Sequence, residues 1–177
     1  MRFIQPVTPA TASPEMQAIF QEIKQGFGKV PNLFLTMAHH PPLLKANWEK
    51  VKAVMMGGNL PRRLKEAIAL LVSQDNGCQY CVQAHSAALR SLKVSEETLA
   101  LISQGNLAAA EFSLKEITLI HFAQAANKTP HAMPEALISS IQAQEISPAE
   151  VVEALGVMET FLAFNRFLDA LAVEIDF

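Results

Sequence analysis

The pattern that most restricts this chain is the way its apolar residues recur at helical spacing between strong start and stop signals. Ser13-Pro14 sets a capping serine before a proline, and Met16, Ile19, Phe20 and Ile23 follow one helical face until Gly26 and Gly28. Ser113 with Glu116 and Ser147 with Glu150 have the spacing of capping boxes, and Ser95 opens a further helix that Gly105 closes. Pro61 opens another, which carries Glu66 and the run Ala67 to Val72. Nowhere do apolar and polar residues alternate as in a half-buried strand, so the expected fold is all-α.

The 177 residues are half hydrophobic, enough for one substantial core, and a single domain over 1–177 is expected. Lys and Arg total 14 against 17 Asp and Glu, a formal charge of -3. That balance leaves no basic footprint, so neither nucleic acid nor an anionic membrane is an expected partner. Residues 1–6 show no apolar stretch of leader length and Ala67 to Val72 is too short to cross a bilayer, so a cytoplasmic protein is expected. In that compartment a pair of cysteines is redox-active or metal-binding rather than a staple.

Asp75-Asn76-Gly77 reads as a turn, and the helical pattern Cys78, Cys81, Val82, His85, Leu89, Leu92 begins directly after it. Residues three and four apart share a helix face, so Cys78, Cys81 and His85 form one stripe. A helix N-terminus, a second thiol and an imidazole each favour the thiolate, the reactive form of cysteine, and the spacing allows a disulfide within one turn. His85 is one turn from Cys81 and two from Cys78, which favours Cys81 as the thiol that imidazole assists. The alternatives are simple packing and a zinc site. A structural zinc site needs a fourth ligand, which His39, His40, His121 or His131 would have to supply.

Leu64-Lys65-Glu66 returns as Leu114-Lys115-Glu116, each ahead of an apolar helix, a polar break and another helix. A duplicated helical hairpin would explain the echo, with Cys81 opposite His131 and no cysteine in the second copy. The two glutamates differ. Glu116 has Ser113 as a capping partner, whereas Glu66 has Arg63 at that spacing and is either a solvated first-turn residue or a functional one. His39, His40 and His121 read as structural or surface residues, with His39-His40 beside Pro41-Pro42 also placed to line an entrance. Trp48 and the phenylalanines read as core, and Met55-Met56 as packing or the fringe of an apolar pocket or interface.

The stretch from Leu64-Lys65-Glu66 through Gly77-Cys78-Gln79-Tyr80-Cys81-Val82-Gln83-Ala84-His85 resembles the core motif of the alkylhydroperoxidase D-like, or carboxymuconolactone decarboxylase-like, superfamily: Glu, a spacer, Cys-x-x-Cys, three residues, His. The segment Lys29-Val30-Pro31-Asn32-Leu33-Phe34 and His39-His40-Pro41 is similar to the N-terminal part of its peroxidase-related branch. The resemblance implies an all-helical domain with its core motif at about 61–92 and a homo-oligomer, trimer or hexamer. It also implies reduction of a small organic hydroperoxide without a cofactor or metal, and an unidentified dithiol protein as reductant. It makes Cys81 the peroxidatic thiolate, Cys78 the resolving thiol, and Glu66 and His85 a proton relay. Peroxidases of the family carry a histidine just before the second cysteine, where this chain has Tyr80, a poor base near neutral pH. Decarboxylase members generally lack the cysteine pair, which disfavours lactone decarboxylation. Two other functions remain open, a redox-sensing or disulfide-exchange protein without turnover and a metal-binding helical module.

Overall fold

The computed structural model describes residues 4–177, so the first three residues of the stretch inspected for a leader lie outside it. Among the described residues there is no strand. The helices are α1 (Pro14–Phe27), α2 (Asn32–Met37), α3 (Pro41–Val51), α4 (Arg62–Asp75), α5 (Gln79–Ser91), α6 (Glu96–Ser103), α7 (Leu114–Lys128), α8 (Glu135–Ala143) and α9 (Pro148–Ala170). A 3₁₀ turn at Pro9–Thr11 precedes α1, and α3 runs into a π-helical turn, Lys52–Met56. Among the described residues no helix is long and apolar enough to cross a membrane.

The cap signals act as their chemistry requires. Ser13 Oγ accepts from Met16 N–H at 3.3 Å and Ser95 Oγ from Thr98 N–H at 3.1 Å. Both capping boxes are reciprocal: the Ser113 and Ser147 N–H groups donate to Glu116 and Glu150 at 2.8 and 2.9 Å. Gly28 ends α1 with φ 77° and Gly77 turns the chain between α4 and α5 with φ 78°, conformations a Cβ disfavours.

The molecule is organised around α4, on which α5, α7 and α9 all pack. Every residue from Leu64 to Ser73 is buried. That explains why its apolar run is continuous rather than striped, since a helix covered on all sides has no face to leave polar. Among its polar residues is Lys65, 2% exposed, whose ammonium donates to the Gly57 carbonyl and pairs with Glu153 of α9 at 2.5 Å. Glu153 also accepts the N–H groups of Asn59 and Leu60 at 2.7 and 3.2 Å. Buried charges persist when paired and hydrogen-bonded. This cluster anchors the loop before α4 to α9 and so fixes where α4 begins.

Trp48 is core, as its sequence context implied, and heads a run of edge-on aromatic contacts. It meets Phe34 at 5.8 Å between ring centroids, Phe34 meets Phe164 at 6.4 Å, Phe164 meets Phe161 at 5.9 Å, and Phe161 meets His85 at 4.1 Å. The pair at Met55-Met56 divides, Met55 buried and Met56 43% exposed.

Candidate redox site

The turn at residues 75–77 folds α5 back along α4, which the Cys-x-x-Cys segment needs if Glu66 is to reach it. Cys78 is the N-cap of α5 and Cys81 lies in its first turn. Both are free thiols within hydrogen-bond reach of one another, 0% and 2% exposed. His85 follows one turn later, and its Nδ1 lies 2.6 Å from Glu66 Oε2. Glu66 is 1% exposed, so the solvated alternative does not describe it.

Behind Glu66 stands Arg62, one turn earlier on α4. Its Nε donates to Glu66 Oε1 at 2.7 Å and its Nη1 to the Met55 carbonyl at 3.1 Å, at the π-helical turn. Burial pushes the Glu66 carboxyl up, but the hydrogen bond and charge of His85, with those of Arg62, outweigh it and hold the group below its ordinary value. An ionised Glu66 only accepts, so Nδ1 of His85 carries the proton it donates, and in the neutral ring Nε2 is then the acceptor. That Nε2 is buried and has no hydrogen-bond partner. Carboxylates that orient an imidazole in this way prepare the opposite nitrogen to take a proton.

The two thiols differ in environment. The hydrogen bond from the Cys81 thiol, helped by the Cys81 N–H, lowers the Cys78 pKa against the opposing effects of burial and Asp169. The hydrogen bond to Cys78 raises the Cys81 pKa, as do burial and the charge of Cys78, while Asn165 and Ser73 act to lower it. Electrostatics therefore makes Cys78 the more acidic of the two thiols. Access points the other way, because Cys81, and not Cys78, lines the neighbouring cavity with His85 and Glu66. That cavity, about 350 Å³, is walled mainly by apolar and aromatic side chains, among them Phe27, Phe34, Phe161, Phe164 and Met55.

The structure thus brings Cys78, Cys81, His85 and Glu66 together. It takes His39 and His40 away from the place one reading gave them: both are exposed, His39 Nε2 is 2.7 Å from the Gln5 carbonyl, and His40 Nδ1 accepts the Leu43 N–H as the N-cap of α3. Neither borders the cavity. His121 and His131 are exposed too, and among the described residues no group of three or more His, Cys, Asp or Glu could hold a metal ion. Sequence reasoning missed Arg62, although its place one turn before Glu66 was a readable signal. It also missed Ser73, Asn165 and Asp169. Asn165 sits on α9, where it donates to Ser73 Oγ at 3.1 Å and accepts from Asn76 at 2.9 Å, and no local pattern marks it.

The model of the carboxymuconolactone decarboxylase family matches residues 41–125. An alkyl hydroperoxide reductase of Mycobacterium tuberculosis is 31% identical over 100 residues, which cover 56% of this chain and 29% of that relative's length. Among solved structures, an uncharacterised peroxidase-related protein of Ralstonia eutropha, with the alkylhydroperoxidase D core, is 24% identical. It superposes with a TM-score of 0.85 over 99% of this chain and 92% of that one. The debrominase Bmp8, solved with 2,3,4-tribromopyrrole, is 22% identical, with a TM-score of 0.86 over 99% and 92%. At these identities the structural matches speak for the fold. The matched stretch runs across α4, α5 and the Cys-x-x-Cys-x-x-x-His segment, so this part of the chain is similar to the carboxymuconolactone decarboxylase family, and the whole described chain has the helical fold of the alkylhydroperoxidase D core.

Proposed function

We propose that the protein is a thiol-dependent peroxidase that reduces organic hydroperoxides through a Cys78–Cys81 dithiol/disulfide cycle. The observation that carries this reading is the unpartnered Nε2 of His85, backed by Glu66 and Arg62, in the cavity that Cys81 also lines. In the first step the Cys81 thiol loses its proton to Nε2 of His85, and its sulfur attacks the terminal oxygen of ROOH. The O–O bond breaks, Cys81 becomes a sulfenic acid, and RO⁻ leaves as the alcohol by taking the proton that the site holds. Cys78 then attacks the Cys81 sulfur, forming the disulfide and releasing water, and an external dithiol restores both thiols. Asn165 and Ser73 stabilise negative charge on Cys81 while it reacts.

The fold alone does not choose the substrate, since one protein that shares it is named a debrominase. Turnover of a hydroperoxide with a regenerating dithiol is expected. A single oxidation without turnover would instead make the protein a redox sensor or disulfide-exchange protein. The order of the thiols is tested by single variants treated with hydroperoxide and a sulfenic-acid trap. Cys78→Ser is expected to accumulate trapped Cys81, and Cys81→Ser to trap little; rapid labelling of Cys81→Ser would reverse the roles. We also propose a homo-oligomer, supported by α8, which buries no residue in the protomer, and by Leu114, 69% exposed. Light scattering tests it.

A further inference from the structure

Tyr80 occupies the position just before Cys81, yet its hydroxyl is not available for proton exchange. It accepts the Leu33 N–H at 3.1 Å and donates to Asp176 Oδ1 at 2.7 Å. Burial pushes its ionisation far above the ordinary phenol range, and Asp176 adds to the rise over the lowering effect of the Leu33 N–H. What the hydroxyl does is hold a segment from the far end of the fold. The other oxygen of Asp176 accepts the Asn32 N–H at 3.2 Å and pairs with Lys29 Nζ at 3.3 Å, while Asn32 Nδ2 donates to the Glu174 carbonyl at 3.1 Å. These contacts tie residues 174–177 to the start of α2 and to the first turn of α5.

Their consequence is the placement of Phe177. Its ring stands edge-on to Tyr80 at 5.4 Å and 90°, with Lys29 Nζ 4.1 Å from its centroid, and it forms one wall of the cavity that holds Cys81 and His85. Yet Phe177 is 43% exposed and stands outside the buried core, so core packing does not explain why it is held there. A large ring fixed at a mouth and half open to water gains most when a second apolar group covers it. The size of the cavity points the same way. Its volume of about 350 Å³ is some ten times a water's share of about 30 Å³, whereas an apolar cavity of about 150 Å³ already accepts benzene. Hydrogen peroxide would leave such a space nearly empty, while a phenyl ring with a branched alkyl hydroperoxide would fill it.

We propose that Phe177 is a specificity-determining residue and Tyr80 the positioning residue that pins it through Asp176, fitting the site to ring-bearing apolar hydroperoxides over hydrogen peroxide. The proposal rests on the peroxidase reading for the reacting group but not for the wall itself, and the test separates the two. Binding of 2-phenyl-2-propanol, the inert product of cumene hydroperoxide reduction, is measured by calorimetry on reduced wild type, Phe177→Ala, Phe177→Trp and Tyr80→Phe. Turnover of cumene hydroperoxide and hydrogen peroxide is measured with an excess of dihydrolipoamide.

Phe177→Ala is expected to weaken alcohol binding about three- to tenfold and to lower the cumene-to-hydrogen-peroxide preference by a similar factor, with Phe177→Trp restoring both. Tyr80→Phe is expected to raise KM for cumene hydroperoxide more than it lowers kcat, because it loosens the wall and leaves the thiols in place. Unchanged binding and preference in Phe177→Ala overturn the proposal, as does a wild type that turns over both peroxides equally. A Tyr80→Phe protein with wild-type KM removes the positioning role. If wild type turns over neither peroxide but binds the alcohol in a Phe177-dependent way, the wall stands and the peroxidase reading fails.

Discussion

The hairpin of α4 and α5 and the hairpin of α7 and α8 both carry Leu-Lys-Glu near their start, as the third to fifth residues of α4 and the first three of α7, and the structure puts those residues to opposite uses. Leu64, Lys65 and Glu66 are all buried, with Lys65 locked to Glu153 and Glu66 to His85 and Arg62. Leu114 is 69% exposed, Lys115 reaches Glu150 across the surface at 2.8 Å, and Glu116 closes the capping box of its own helix. The second helices diverge further. α5 lies along α4 and buries Tyr80, Cys81, His85 and Leu89, whereas α8 buries nothing, and His131, the counterpart of Cys81, is an exposed residue between α7 and α8. A shared local sequence thus gives a shared helical conformation and nothing more, since even the caps differ, Pro61 for α4 and the Ser113 box for α7. Chemistry follows burial, because an enclosed carboxylate must find a charged partner while an exposed one can serve a cap.

The largest contrast is expected in stability. Lys65→Met leaves the largely enclosed Glu153 without its cation and should cost about 3–5 kcal/mol, whereas Lys115→Met removes a partly exposed pair that contributes about 0–1 kcal/mol. Urea unfolding of the two variants checks it, and equal losses would break the comparison. In activity, Glu66→Gln should slow thiol oxidation by peroxide about a hundredfold, because it removes the carboxylate that supports a charged imidazole while keeping an acceptor for Nδ1. Glu116→Gln should leave the rate near wild type, and stopped-flow oxidation of both variants is the measurement.

The smallest expected effect is in pH. The folded pKa of Glu66 lies below its unfolded value, so its contribution to stability is complete above the unfolded pKa of about 4.3 and is lost as pH falls through the folded one. Glu66→Gln should therefore flatten the acid limb of a stability profile below about pH 4.3 relative to wild type. An unchanged limb would show that Glu66 carries the same proton affinity folded and unfolded.

Much of the site could be read directly because its parts are local. Cys81 and His85 share one helix and Cys78 caps it, so spacing alone brings them together, and the turn at Asp75-Asn76-Gly77 announces the fold-back that brings Glu66 near. The contributions of Ser73, Asn165, Asp169 and Phe177 were not legible. Each reaches the thiols or the cavity from another helix or from the segment beyond α9, and nothing in its immediate neighbours distinguishes it from a packing or surface residue. His39 and His40 show the converse, a conspicuous local pair that the fold uses at the start of α3.

By itself, the sequence determined where helices start and stop, that no strand competes, and which thiols and imidazole share a face. Capping, proline and glycine geometry and helical periodicity act over a few residues and need no distant partner. Only the tertiary structure decided that the first Leu-Lys-Glu is enclosed and the second is not, that the thiols carry unequal pKa values, and that Tyr80 holds Phe177 at the cavity. Burial and charge pairing depend on which helices pack on α4, and that is set by the whole chain's competition for its apolar surface rather than by any one segment.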